Sequence, residues 1–280
     1  MFQNAWYQIG RGIVSVFVRG VLRADIYQPA PMPKGAKILV VNHPSTSDPA
    51  YVTVLTKEQT TILIKETLFK VPLFGRSLRM AGHVPVVAGK GQAALEAGIR
   101  LLNAGRTVVI FPEGEISPEN AFHKAHSGAA RLALATGAPV IPIGISLEYK
   151  KLRQIHTTVD GKREVSSWYL HGPYAMTVGE PLAFQGDVED REQVHQVTGQ
   201  IMQQIGLLCQ HSRRRLSNRA LQRASKTPAP RLATPKAAAR AAWNSTRLAF
   251  QQPARVLTRS AAFRAIESML LLALMYARTF

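Results

Sequence analysis

Two residues in the stretch ILVVNHPSTSDP, His43 and Asp48, are the pair in this chain best suited to chemistry. They follow an apolar run that reads as a strand and precede a predicted helix, and in open α/β sheets sites gather where strands end. A neutral imidazole can take the proton of an alcohol as that oxygen attacks a thioester. A carboxylate on the other ring nitrogen fixes the tautomer and stabilises the imidazolium that forms. Five residues across a turn let Asp48 reach back to His43. Alone the pair is a weak signal: with eight His and five Asp in 280 residues, chance supplies this spacing in roughly one chain of seven. A loop histidine beside a helix-capping Asp48 is the bland alternative.

A second block, VVIFPEGEIS at 108–117, is another strand running into a Pro-Glu-Gly turn, with Glu113 lying 70 residues after His43. Gly114 permits close backbone approach, and Glu113 is placed to meet polar substrate groups; simple turn chemistry is the competing reading. His123 and His126 lie near Glu119, but no third ligand is spaced to complete a metal site, so they read as polar surface and no metal is expected. No Gly-x-Ser-x-Gly elbow is present. The single cysteine, Cys209, cannot form an internal bridge and reads as a small core residue in a helix, which fits a reducing compartment.

The elements that must position these residues are legible as short β-branched runs: KILVV (37–41), TTILI (60–64), HVPVV (83–87), RTVVIF (106–111) and PVIPIGI (139–145). Helical patterns separate them. The clearest, 91–105, places Ala94, Leu95, Gly98, Ile99 and Leu102 on one face before Gly105 ends it. Segments 165–170 and 174–178 are candidate further strands, and 188–215 reads as helix. This alternation predicts an α/β fold with a central, largely parallel or mixed sheet flanked by helices.

Three regions follow: an apolar N-terminal helix over 1–30, an α/β domain over 31–215, and a linker with a basic helical tail over 216–280. The N-terminal helix is as consistent with membrane contact as with packing on the domain. It lacks a charged leader and cleavage site, and Arg11 and Arg19 interrupt its apolar stretch, so no secretory signal is expected. The formal charge of +18 is uneven: residues 211–280 hold 14 Lys/Arg against one acid, Glu267. Helical stretches at about 236–250 and 254–278 carry apolar residues but no run long enough to span a bilayer. Such a tail suits an anionic membrane face; charge alone does not exclude nucleic acid, although no recognised nucleic-acid fold accompanies Arg213, Arg214 and Arg215.

Taken in order, the blocks resemble the phospholipid-synthesis acyltransferase family, of the bacterial 1-acyl-glycerol-3-phosphate acyltransferase type. The family's His-x4-Asp block appears as NHPSTSD and its Phe-Pro-Glu-Gly block as Phe111 to Gly114. A third resembles KETLFKVPLFGRSLRMAGHVPV (65–86), beginning at Lys65, and a fourth VIPIGI (140–145). The resemblance covers about residues 30–180. It implies His43 as general base with Asp48, substrate contacts from Glu113, Gly114 and Lys65, and an acyl-CoA or acyl-carrier-protein co-substrate. It also implies a lysolipid acceptor, no cofactor and no covalent enzyme intermediate, at the cytoplasmic face of the cell membrane.

The chain departs from the family pattern twice. Ala88 stands where an arginine usually helps hold the acceptor phosphate, and Glu115-Ile116 replaces the usual Thr-Arg. Lys90, between Gly89 and Gly91 at a predicted helix start, is a candidate replacement cation or simply a solvated lysine. Glycerol-3-phosphate, a non-phosphorylated lipid acceptor and a non-catalytic membrane-binding role remain alternatives.

Overall fold

The computed structural model describes residues 2–71, 74–87, 89–159 and 162–226. Ala88 and most of the expected linker and basic tail lie outside the described residues.

Helix α1 (Phe2–Val16) and a π-helical turn (Phe17–Val21) lead into β1 (Asp25–Tyr27) and β2 (Lys37–Val41). Helix α2 (Asp48–Val52), β3 (Thr60–Lys65), α3 (Phe74–Met80) and β4 (Val84–Val86) follow. Then come α4 (Gly91–Asn103), β5 (Thr107–Ile110), α5 (Gly128–Thr136) and β6 (Val140–Leu147). A hairpin, β7 (Arg153–Val159) and β8 (Lys162–Trp168), precedes β9 (Tyr174–Val178) and α6 (Arg191–Lys226).

The main sheet has the order β1-β9-β6-β2-β5-β3-β4. The five strands from β6 to β4 are mutually parallel, and β9 returns antiparallel on β6 with β1 parallel beside it. The expected mixed α/β sheet is therefore present. Its parallel centre is apolar on both faces because both are covered. Leu39 and Val41 join Tyr51, Tyr169 and Tyr174 on the side of α1 and α2, while Ile38 and Val40 pack with α4, α5 and α6. That division is the period-two alternation of a strand.

The five β-branched runs and the candidate 174–178 fall within two residues of observed strands, while the candidate 165–170 begins three residues inside β8. Strands β1 and β7 carry no apolar run long enough to announce them. Strand β1 ties the N-terminal segment into the sheet, pairing Asp25 to Ala175. Helix α6 runs from Arg191 to Lys226, well beyond residue 215, and presses on β6. A side-chain carbon at Gly144 would fall 2.3 Å from the Cys209 nitrogen. Cys209 is buried in this core, as expected, and burial pushes its thiol up to about 12. Of the three arginines, Arg215 is structural: it pairs with Asp25, donates to Thr177 Oγ1 at 3.1 Å, and covers the Tyr27 ring at 5.1 Å.

Candidate active site

Strands β2 and β5 lie side by side with Val40 level with Ile110, so residues 42–43 and 112–113 leave the sheet together. This is how blocks 70 residues apart in sequence meet at the sheet's carboxyl edge, where open α/β folds form their sites. Asn42 fixes the start of the first loop, donating to the Ile145 carbonyl at 3.0 Å and accepting from the Ile145 N–H at 2.7 Å. The loop is then clamped by the foot of the hairpin. Thr46 N–H donates to the Ser167 carbonyl at 2.7 Å, and Tyr169 N–H donates to Ser47 Oγ at 3.0 Å.

Within this loop His43 Nδ1 lies 3.3 Å from Asp48 Oδ2. The histidine side chain is 16% exposed and the aspartate fully buried. The imidazole rests on Phe111, ring centroids 4.4 Å apart. Asp48 opens α2, where a negative charge is favoured by the helix dipole. Its Oδ2 accepts the Ser45 N–H and its Oδ1 the Ser45 hydroxyl, both at 2.6 Å. Tyr174 donates to Oδ1 at 2.8 Å from strand β9. Burial, and then the charge of Asp48, push the Tyr174 phenol well above its ordinary range, so it keeps its proton.

Glu113 departs from its expected place. The sequence offers it to polar substrate groups; the structure buries it to 2% exposure. Its Oε1 accepts the Ser117 hydroxyl and, at 3.4 Å, the His43 N–H; its Oε2 accepts the His123 N–H at 2.8 Å. Ser117 closes the bridge: its N–H donates to the His43 carbonyl at 2.8 Å, and its hydroxyl accepts the His43 N–H at 3.0 Å. The carboxylate thus staples three backbone segments. A buried carboxylate is tolerated where donors surround it. Gly114, exposed beside it, has φ +68, and a side-chain carbon there would meet the His126 ring at 3.3 Å.

The lysines sit farther along the same edge. Lys65 ends β3, two strands from β2, which is about 10 Å at ordinary strand spacing. Its pairing places it at the level of residues 42 and 112, because Ile62 is level with Val109. Lys90, exposed at the start of α4, follows β4, three strands or about 14 Å from β2. His123 and His126 serve the Glu113 loop, His126 N–H donating to the Pro112 carbonyl at 2.8 Å. No cluster of three or more metal-ligating side chains occurs among the described residues. Asn42, Ser45 and Ser117 stand inside the sequence blocks but have no chemistry that singles them out; Tyr174 has no local signal.

Residues 23–146, which carry both loops, match the Acyltransferase family model. The matched segment includes His43, Asp48 and Glu113 and the strands that position them. A chloroplastic 1-acyl-sn-glycerol-3-phosphate acyltransferase, BAT2, of Brassica napus is 33% identical over 110 residues, covering 38% of this chain and 31% of that protein. The enzyme of the same name from Pseudomonas aeruginosa is 28% identical over 116 residues, covering 40% of this chain and 45% of its own length. The match therefore spans less than half the length of either relative. The crystal structure of the 1-acyl-sn-glycerophosphate acyltransferase PlsC from Thermotoga maritima superposes with a TM-score of 0.48 at 24% identity, covering 69% of this chain and 78% of that one.

Proposed function

We propose that this chain transfers a fatty acyl group from acyl-CoA or acyl-carrier protein to the hydroxyl of 1-acyl-glycerol-3-phosphate or a related lysolipid. The observation that carries the reading is the His43–Asp48 pair at the carboxyl edge, in which Asp48 takes Nδ1 and leaves Nε2 for substrate. Nε2 accepts the acceptor's hydroxyl proton as that oxygen attacks the thioester carbonyl carbon. The tetrahedral intermediate collapses with cleavage of the carbon–sulfur bond, and the imidazolium returns its proton to the departing thiolate. The products are an ester and a free thiol, and the step consumes only the acceptor and the thioester. Glu113 and Ser117 hold the His43 backbone in place. The register of Lys65 favours it over Lys90 as the nearer cation for an acceptor phosphate.

The reading extends to a membrane surface. Among the described residues no helix is long and apolar enough to cross a membrane. Helix α1 nevertheless exposes Trp6, Ile9, Ile13 and Val16 at helical spacing. Arg11 and Arg19 reach the Thr56 and Val54 carbonyls, and no acidic residue occurs before Asp25. Such a face suits an interfacial helix on an anionic bilayer.

The test offers the purified protein labelled acyl-CoA and acyl-carrier protein with lysophosphatidate, other lysolipids and glycerol-3-phosphate. Ester formed on lysophosphatidate is the expected product. His43→Ala and Asp48→Asn, folded by circular dichroism, should each lose about a thousandfold in kcat, within the range of general-base catalysis. Product on glycerol-3-phosphate alone would move the acceptor; no product with any pair would leave a non-catalytic binding protein.

A further inference from the structure

We infer that Tyr174 is a positioning residue for this transfer: its buried hydroxyl pins the Asp48 carboxylate from outside the catalytic loop and sets how strongly that carboxylate supports the His43 imidazolium. The kinetic side of this inference rests on the acyl-transfer reading; the Asp48–His43 coupling does not.

Asp48 is fully buried, and among the described residues the partners of its carboxylate are Ser45, Tyr174 and His43, none of them a lysine or arginine. Its charge is held by the Ser45 amide, the Ser45 hydroxyl, the Tyr174 hydroxyl and the His43 ring. Ser45 belongs to the same loop as His43 and Asp48, so it moves with them and cannot set their orientation against the sheet. Tyr174 arrives from strand β9, 126 residues away. Its backbone is paired with Leu147, and its ring is packed between Tyr51 and Tyr169, with centroids 5.5 and 5.6 Å away. It is therefore a rigid donor. The ionisable groups facing Asp48 are His43 and Tyr174, with Tyr51 and Tyr149 farther off; those around Tyr174 are Asp48, Tyr51 and Tyr169. Each donor to a carboxylate spreads its charge and weakens its hold on a neighbouring cation. Removing the phenol hydroxyl should leave Asp48 a stronger partner for imidazolium but a looser one, so His43 holds its proton more tightly while its geometry worsens.

The deciding measurement is the titration of His43 by NMR, its resonance identified by loss in His43→Ala. In Tyr174→Phe the midpoint should rise by about half a pH unit or more, and kcat should fall about tenfold with KM nearly unchanged, as expected for a residue that acts only on the transition state. Replacing Tyr174 with 3-fluorotyrosine, a stronger donor of nearly the same shape, should move the midpoint the opposite way, which keeps the test open if the phenylalanine variant does not fold. A purely structural tyrosine would lower Tm and leave the titration where it is. Midpoints unmoved in either folded variant overturn the inference, whereas a wild-type protein with no transfer activity overturns only the acyl-transfer reading.

Discussion

His43 has a pair of neighbours whose tasks differ: Asp48 addresses its ring, and Glu113 addresses its backbone. The buried Glu113 carboxylate accepts from Ser117, His43 and His123, so its loss strands the buried Ser117 hydroxyl and frees the His123 N–H, while the His43 N–H keeps only Ser117 Oγ. Each stranded donor costs about 1–3 kcal/mol. Glu113→Ala should therefore lower unfolding stability by about 3 kcal/mol and reduce kcat through displacement of His43. Glu113→Gln keeps an acceptor and should show less than half of both effects. Denaturation curves read beside steady-state kinetics decide it: a raised KM at unchanged stability would mean that Glu113 meets substrate after all.

At the scale of elements, α1 shows how one helix can serve two surfaces. Tyr7 anchors it, sharing a hydrogen bond of 2.8 Å with Thr60 Oγ1, and Phe17 and Val18 of the following turn enter the core. The opposite face leaves Trp6, Ile9, Ile13 and Val16 in solvent. Replacing Ile9 and Val16, the most exposed of the four, with Gln or Ser should leave Tm within a few degrees, since most of each side chain already faces solvent. The same change should weaken sedimentation with phosphatidylglycerol-containing vesicles by tenfold or more, roughly the loss of two buried apolar side chains. Equal sedimentation of the two proteins would remove α1 from the membrane reading. The hairpin β7–β8 works differently: it adds no strand to the main sheet, and its foot braces residues 46 and 47.

Across the whole molecule, the parallel centre of the sheet collects His43, Glu113, Lys65 and Lys90 along one edge, while the buried Lys37 meets Glu58 at the other. The far flank carries a pH liability. His83 accepts the Ile62 N–H through Nδ1 at 3.3 Å, and burial lowers its midpoint from 6.5 to about 4. The unfolded chain binds this proton as pH falls through 6.5, whereas the folded chain resists it until about 4. The stability associated with the neutral ring is thus complete above about pH 6.5 and declines below it, by about 3 kcal/mol across the window. Urea unfolding at pH 7 and pH 4.5 should show that decline in the wild-type protein. His83→Asn, which can keep the acceptor, should show much less; parallel declines would exclude His83 as the source.

The sequence by itself determined what is local. Apolar runs of four to six residues marked the buried strands, because a strand covered on both faces admits little else, and the two motif loops were placed at strand ends by their turn residues. It also made His43 and Asp48 neighbours, since five residues across a turn leave little freedom. What the tertiary structure decided was every relation between distant segments. Strand order put residue 113 beside residue 43, and strand register set Lys65 level with residues 42 and 112. The antiparallel return of β9 brought Tyr174 to Asp48, and the inward turn of Glu113 made a staple of a residue that sequence alone offered to substrate. Strands β1 and β7 were silent for the same reason. Strand β1 is three residues at an edge and β7 is largely polar, so each is defined by its pairing partner and not by a hydrophobic pattern of its own.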